Sequence, residues 1–162
     1  MRRALPLLLA VLASTAWAMG GQNMVLGRMV QARPDAPSVA ATTHARAHYV
    51  LHCGGCHGMD GAGSPATYVP DLRRLGLWLR VDGGREFVIK VPGVMGSGLD
   101  DRQVAEVTNW VLSTLARDTV PAGHRPFEPA EVTRARQQPL TDVAAERQRL
   151  LQRARAQGVA ID

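Results

Sequence analysis

The sequence predicts a helical protein, and three stretches carry that reading. "LDDRQVAEVTNWVLSTLAR", from Leu99, sets Val104, Val107, Trp110, Val111 and Leu115 in one stripe at helical spacing. Asp100 stands at its N-cap with Gln103 three residues on, the order of a capping box. "TTHARAHYVLHC", residues 42 to 53, opens on threonines able to cap and holds no glycine or proline. The stretch from Asp142 to about Gln157 sets Val143, Leu150, Leu151 and Ala154 on one side.

Taken in chain order, the first 18 residues read as a leader. Arg2 and Arg3 precede an apolar run from Leu5 to about Ala13, and the small-residue pattern Ala16-Trp17-Ala18 closes it. A bilayer span takes about 20 apolar residues, more than this run supplies. A secretory signal peptide cleaved after Ala18 is therefore expected, with export to the periplasm and no membrane span in the mature chain. Residues 19–41, with glycine, two prolines and no period, are expected to form an irregular N-terminal arm. In the helix from 42, Ala45, Tyr49 and Cys53 recur on one face. Residues 54–70 read as loop, glycine-rich at first, with Pro65 and Pro70 later. "DLRRLGLWLRV" from Asp71 suits a short helix. "GGREFVIKVPG" suits a short helix better than a strand and is stopped by Pro92-Gly93. After the helix from Asp100, residues 118–162 turn polar. Their apolar stripe is too thin for a domain of their own, so they are expected to pack on the preceding core or on a partner. On the sequence alone, deleting residues 121–162 is expected to weaken docking to the donor and to leave the cofactor environment nearly intact.

The formal charge is +5, and falls to +3 without Arg2 and Arg3. Basic residues are interleaved with acids and form no single basic face, which argues against a nucleic-acid partner. Eighteen of the nineteen basic residues are arginine, with Lys90 the single lysine.

Both cysteines fall in "LHCGGCHGMDGAG", as Cys53 and Cys56, with His57 next. A disulfide here would close a tiny loop and stabilise little. A thioredoxin-like pair would follow a buried strand and open a helix, whereas a helix leads in and a glycine-rich loop leads out. Zinc would need a fourth ligand, and His57 sits directly beside Cys56. Haem uses every residue of the motif. Two thiols at this spacing form thioethers with the two vinyl groups, and the next residue offers its imidazole to the iron. One covalent haem c is the expected cofactor.

With these landmarks in order, the chain resembles the class I monohaem cytochromes c over about residues 42 to 117. Ala45, Tyr49 and Cys53 are similar to that family's first helix, and "CHGMDGAG" to its post-haem loop. "VPDL", residues 69–72, resembles its proline turn, Met95 stands where its methionine ligand would, and the Asp100–Leu115 helix with Trp110 resembles its last helix. The resemblance implies an all-α fold with first and last helices crossing beside the haem. The departures are the N-terminal arm and the C-terminal helical extension, so the expected layout is 1–18, 19–41, 42–117 and 118–162.

The iron of a haem has two axial positions, and His57 can fill only one. A methionine opposite raises the reduction potential relative to a second histidine. Met59 follows His57 too closely to reach the opposite face, whereas Met95 lies 38 residues on, in a loop with Pro92, Gly93 and Gly96. Met95 is the expected second ligand, with His124 the main rival; His44, His48 and His52 are placed in solvent or on the wrong side. By resemblance the Pro70 carbonyl accepts from the other nitrogen of His57. Leu72, Trp78 and Phe87 are expected as pocket walls, and Tyr49 with Trp110 as the helix contact.

The sequence contains no convincing distal acid, base or nucleophile, and little chain to form a substrate pocket beside the haem. An electron carrier, not an enzyme, is the expected function. The alternative is a haem sensor or small haem enzyme with an open distal position. Partners implied by the resemblance are a redox donor such as a periplasmic dehydrogenase and a downstream acceptor.

Overall fold

The computed structural model describes residues 39–161. The leader expected over 1–18 and nearly all of the arm expected over 19–41 lie outside the described residues. Every regular element among the described residues is helical, and the one bridge is an isolated antiparallel pairing of Ser64 with Val69. The fold is all-α. Its helices are α1 (Val39–His52), α2 (Gly54–His57), α3 (Leu75–Trp78), α4 (Gly84–Lys90), α5 (Pro92–Met95), α6 (Asp101–Thr114), α7 (Pro129–Arg136) and α8 (Val143–Ala156). Single turns of 3₁₀ helix at Pro65–Thr67, Leu72–Arg74 and Arg117–Thr119 fill the connections.

α1 starts three residues before Thr42, so the expected arm gives way to helix at Val39. The predicted loop from Gly54 begins instead with the turn α2. The cause is local: the Cys53 carbonyl accepts from the N–H groups of both Cys56 (3.2 Å) and His57 (3.0 Å). The capping box of α6 forms in full. The Gln103 N–H donates to Asp100 Oδ1 at 2.8 Å, and the Asp100 N–H donates to Gln103 Oε1 at 2.9 Å. A cap of this kind is worth about 1 kcal/mol.

α1 packs across α6 through its small-aromatic face. Tyr49 is fully buried, with its ring centroid 5.0 Å from that of Trp110 and the planes tilted by 41°. Val104, Val107, Val111 and Leu112 are buried on the facing side of α6. Trp110 and Leu115, also in the predicted stripe, are only partly buried against this core.

Residues 118–161 pack on the core rather than standing away from it. Phe127, Val132 and Ala135 are buried in the same cluster as Tyr49 and Val104. Leu150 and Ala154 of α8 bury with Val81 and Phe87 in a second cluster. Polar contacts fix the seam. Asn109 donates from Nδ2 to the Phe127 carbonyl (3.0 Å) and accepts at Oδ1 from the Phe127 N–H (2.7 Å). Arg85 is the hub. It donates to the carbonyls of Arg125 (2.8 Å) and Pro126 (3.0 Å), to Glu131 Oε2 (2.8 Å), and lies 3.9 Å from the Phe127 ring centroid. The Arg85 hydrogen bond holds the Glu131 carboxyl below its ordinary value, against the opposing effect of burial. The expectation that this segment could be removed without touching the cofactor environment is therefore corrected: its apolar stripe, thin alone, is completed by α4 and α6.

Candidate haem site

The site is built where α1 ends. Cys53 follows the last residue of α1, and α2 turns the chain so that Cys56 and His57 face the same way as Cys53. All three line one cavity of about 440 Å³. Both thiols are free. Burial pushes the Cys53 thiol up from its ordinary value, and negative charge at Cys56 adds to that.

The loop after α2 returns to His57. His57 Nδ1 lies 2.9 Å from the Pro70 carbonyl oxygen, so Nδ1–H donates and Nε2 keeps its lone pair. Gly63 makes the return possible. It has φ +67°, its N–H donates to the His57 carbonyl at 2.9 Å, and a Cβ there would sit 2.4 Å from the carbonyl oxygens of both Val69 and Pro70. The Tyr49 hydroxyl donates to the Gly58 carbonyl at 2.6 Å, tying this loop to the α1–α6 crossing. Gly63→Ala is therefore expected to cost about 2 kcal/mol or more, combining the left-handed backbone penalty with displacement of Pro70. Gly55→Ala, which adds a Cβ with nothing within 4 Å, is expected to be close to neutral. Denaturant unfolding of the two haem-loaded variants checks the difference.

Leu72, Trp78 and Phe87 also line the cavity. Trp78 and Phe87 stack with centroids 5.0 Å apart, and Phe87 is buried. Val91, Pro92, Gly93, Val94 and Ser97 wall the cavity from the α5 segment. Met95 ends α5, half-buried, and is not itself among the lining residues. Met59 is 57% exposed, with its sulfur 3.5 Å from where a Gly54 Cβ would sit. His124 lies away from the cavity, beside Arg85 (3.4 Å between Nδ1 and Nη1). Burial, then the charges of Arg85 and Arg125, lower its pKa.

Among the lining residues outside the expectation from sequence are His52, Val143 and Arg147. Val143 and Arg147 are four apart on α8, so the helical period places them together once Val143 is known to face inward. His52 is exposed, as expected, and it also borders the cavity, with its Nδ1 2.9 Å from the Ser97 carbonyl oxygen. Its adjacency to Cys53 is the available signal.

The residues fit a haem. Two free thiols and an imidazole with an unblocked nitrogen converge on a mainly apolar cavity. An all-helical fold over the described residues, with this site, defines a protein built to hold haem c through two thioethers.

Comparison with known proteins agrees. A cytochrome c-552 of Thermus thermophilus is 29% identical over 147 residues, covering 78% of this chain and 93% of the relative. A second Thermus thermophilus cytochrome c-552 is 31% identical over 118 residues, covering 60% of this chain and 90% of the relative. No family model matches the sequence. The chain belongs to the cytochrome c family. Its fold is the all-α class I fold, its cofactor is covalently attached haem c, and its work is electron transfer with redox partners.

Proposed function

We propose that this cytochrome is a periplasmic carrier of single electrons whose haem is attached through Cys53 and Cys56 and ligated axially by His57 and Met95. The observation that carries the reading is the convergence of Cys53, Cys56 and His57 on one apolar cavity, with Nδ1 of His57 held by Pro70. Haem supplies reversible one-electron chemistry between ferric and ferrous iron. The chain's part is to bind, orient and exclude water. The Pro70 carbonyl holds His57 in the tautomer that leaves Nε2 for the metal. Leu72, Trp78 and Phe87 supply an apolar wall that keeps the local dielectric low. Arg147 borders the cavity, its guanidinium carbon 5.3 Å from the Trp78 ring centroid. A guanidinium there suits the carboxylates a haem carries at its edge. No helix among the described residues is long and apolar enough to cross a membrane. The leader pattern supports export, and a periplasmic dehydrogenase is the proposed donor, with a downstream acceptor. This cytochrome is not an enzyme on this reading.

Met95 is proposed as the second ligand because residues on both sides of it, Val94 and Ser97, line the cavity. The unbranched methionine side chain has enough rotatable bonds to swing its sulfur inward. A second reading, a haem sensor or small haem enzyme with an open distal position, is favoured by one observation: Met95 does not itself line the cavity. Met95→Ala separates the two. A His/Met centre should show a weak far-red band when oxidised and resist carbon monoxide when reduced. Met95→Ala should abolish the band, admit carbon monoxide and lower the reduction potential, because a soft thioether favours ferrous iron. Met59→Ala should do none of these. An unchanged spectrum and potential in Met95→Ala removes Met95 from the iron.

A further inference from the structure

We propose that His52 is a positioning residue that ties down the loop carrying Met95; this rests on the reading of Met95 as an axial ligand. His52 Nδ1 lies 2.9 Å from the Ser97 carbonyl oxygen, across 45 residues of sequence. The partner is an acceptor, so the ring donates its Nδ1–H. The two ends of this bond are where the site needs a link. His52 immediately precedes Cys53, one of the proposed attachment points, and Ser97 is two residues beyond Met95. Both His52 and Ser97 line the cavity.

The loop needs such a tether. α5 is a single turn, four residues long, begun by Pro92, and a helix this short has little stability of its own. Gly96 follows it, and Gly98 has φ +77° with open space around the position of a Cβ. Segments with few buried contacts open locally at low cost. Ser97 gathers the turn on itself: its N–H (3.3 Å) and Oγ (2.8 Å) both donate to the Val94 carbonyl, and its Oγ accepts from the Leu99 N–H (3.3 Å). The carbonyl of this same residue accepts from His52, and that bond joins the segment 92–98 to α1. Buried Leu99 anchors the far end of the loop. The His48 ring, 6.0 Å away and tilted by 45°, flanks His52 on α1. His52 thus restrains the swing of the segment from which Met95 must reach the iron.

The test uses the haem-loaded full chain and two readouts. In His52→Leu, which keeps bulk and removes the donor, amide hydrogen exchange at residues 95–99 should quicken. Affinity of the ferric protein for imidazole, a competitor for the methionine position, should rise about three- to tenfold, the effect of losing one partly exposed hydrogen bond. His52→Gln, which can still donate to the Ser97 carbonyl, should stay within about twofold of the parent on both readouts. Equal exchange and equal imidazole affinity in His52→Leu and the parent overturns the proposal. So does His52→Gln behaving like His52→Leu, because shape and not donation would then matter. Should His52→Leu yield no holoprotein, His52→Ala is read by the same two measurements and the same outcomes decide. If the parent itself lacks the far-red band, the ligand reading of Met95 has failed, and loop exchange alone decides whether His52 restrains the segment.

Discussion

Replacing both Cys53 and Cys56 by serine is expected to abolish stable holoprotein. In the parent, haem should stay with the chain through denaturation and acid-acetone extraction, and the mass should exceed that of the processed chain by one haem. The double variant should lose all haem on extraction. The effect is large because the cavity that haem fills is a large apolar void when empty, about 440 Å³. Leu72, Trp78, Phe87, Val104 and Val111 all face it. Without covalent attachment, the folded state keeps haem only by ligation and apolar contact, and loss of the group leaves those side chains without partners on their cavity side. Missing atoms on one side of a wall forfeit contact energy, and cavities cost stability roughly in proportion to their volume. Apoprotein should therefore unfold at much lower denaturant concentration than holoprotein, and circular dichroism of the two checks it. Haem that leaves the parent chain under extraction would overturn the attachment reading.

The second large effect is expected from deleting residues 121–162. Truncation removes Phe127, Val132, Ala135, Leu150 and Ala154, all buried, and uncovers Val81 and Phe87 beneath them. Each large buried side chain lost contributes about 1.5–3 kcal/mol of burial. Phe127, Val132 and Leu150 together approach the whole stability of an ordinary domain. The truncated chain should be unfolded or should fail to retain a native haem spectrum, which visible absorption and thermal unfolding report. The seam also predicts an acid sensitivity. Glu131 has its pKa lowered in the folded state by Arg85, so its contribution is complete above about 4.5, its ordinary value, and is lost as pH falls through the lower folded value. A truncated protein with a native spectrum and unchanged melting would show that the seam is superficial.

Legibility in the sequence follows the range of the physics. Where local rules decide, the outcome is readable: the Asp100 cap with Gln103, the α6 stripe, and the spacing of Cys53, Cys56 and His57 each depend on a few neighbouring residues. The start of α1 falls earlier than the sequence suggests because helix boundaries depend on weak end effects. The turn α2 reads as loop because glycine propensity argues against helix there, while the Cys53 carbonyl closes it anyway. The C-terminal segment is harder. The stripe of α8 looks thin because its buried apolar partners, Val81 and Phe87, lie some seventy residues earlier in the chain. Nothing in residues 118–162 alone reveals that Arg147 will border the cavity. His52 escapes for the opposite reason: its helical position is local, but its partner Ser97 is set by how the chain returns from α4.

Two sides of the cavity come from distant parts of the chain. The C-x-x-C-H turn precedes Arg147 by about ninety residues. Haem attached while α8 is still unfolded would meet the two thiols and His57 with the side lined by Val143 and Arg147 open. Assembly by that route would need no reopening of a finished fold, with α8 the last side of the pocket to be laid down.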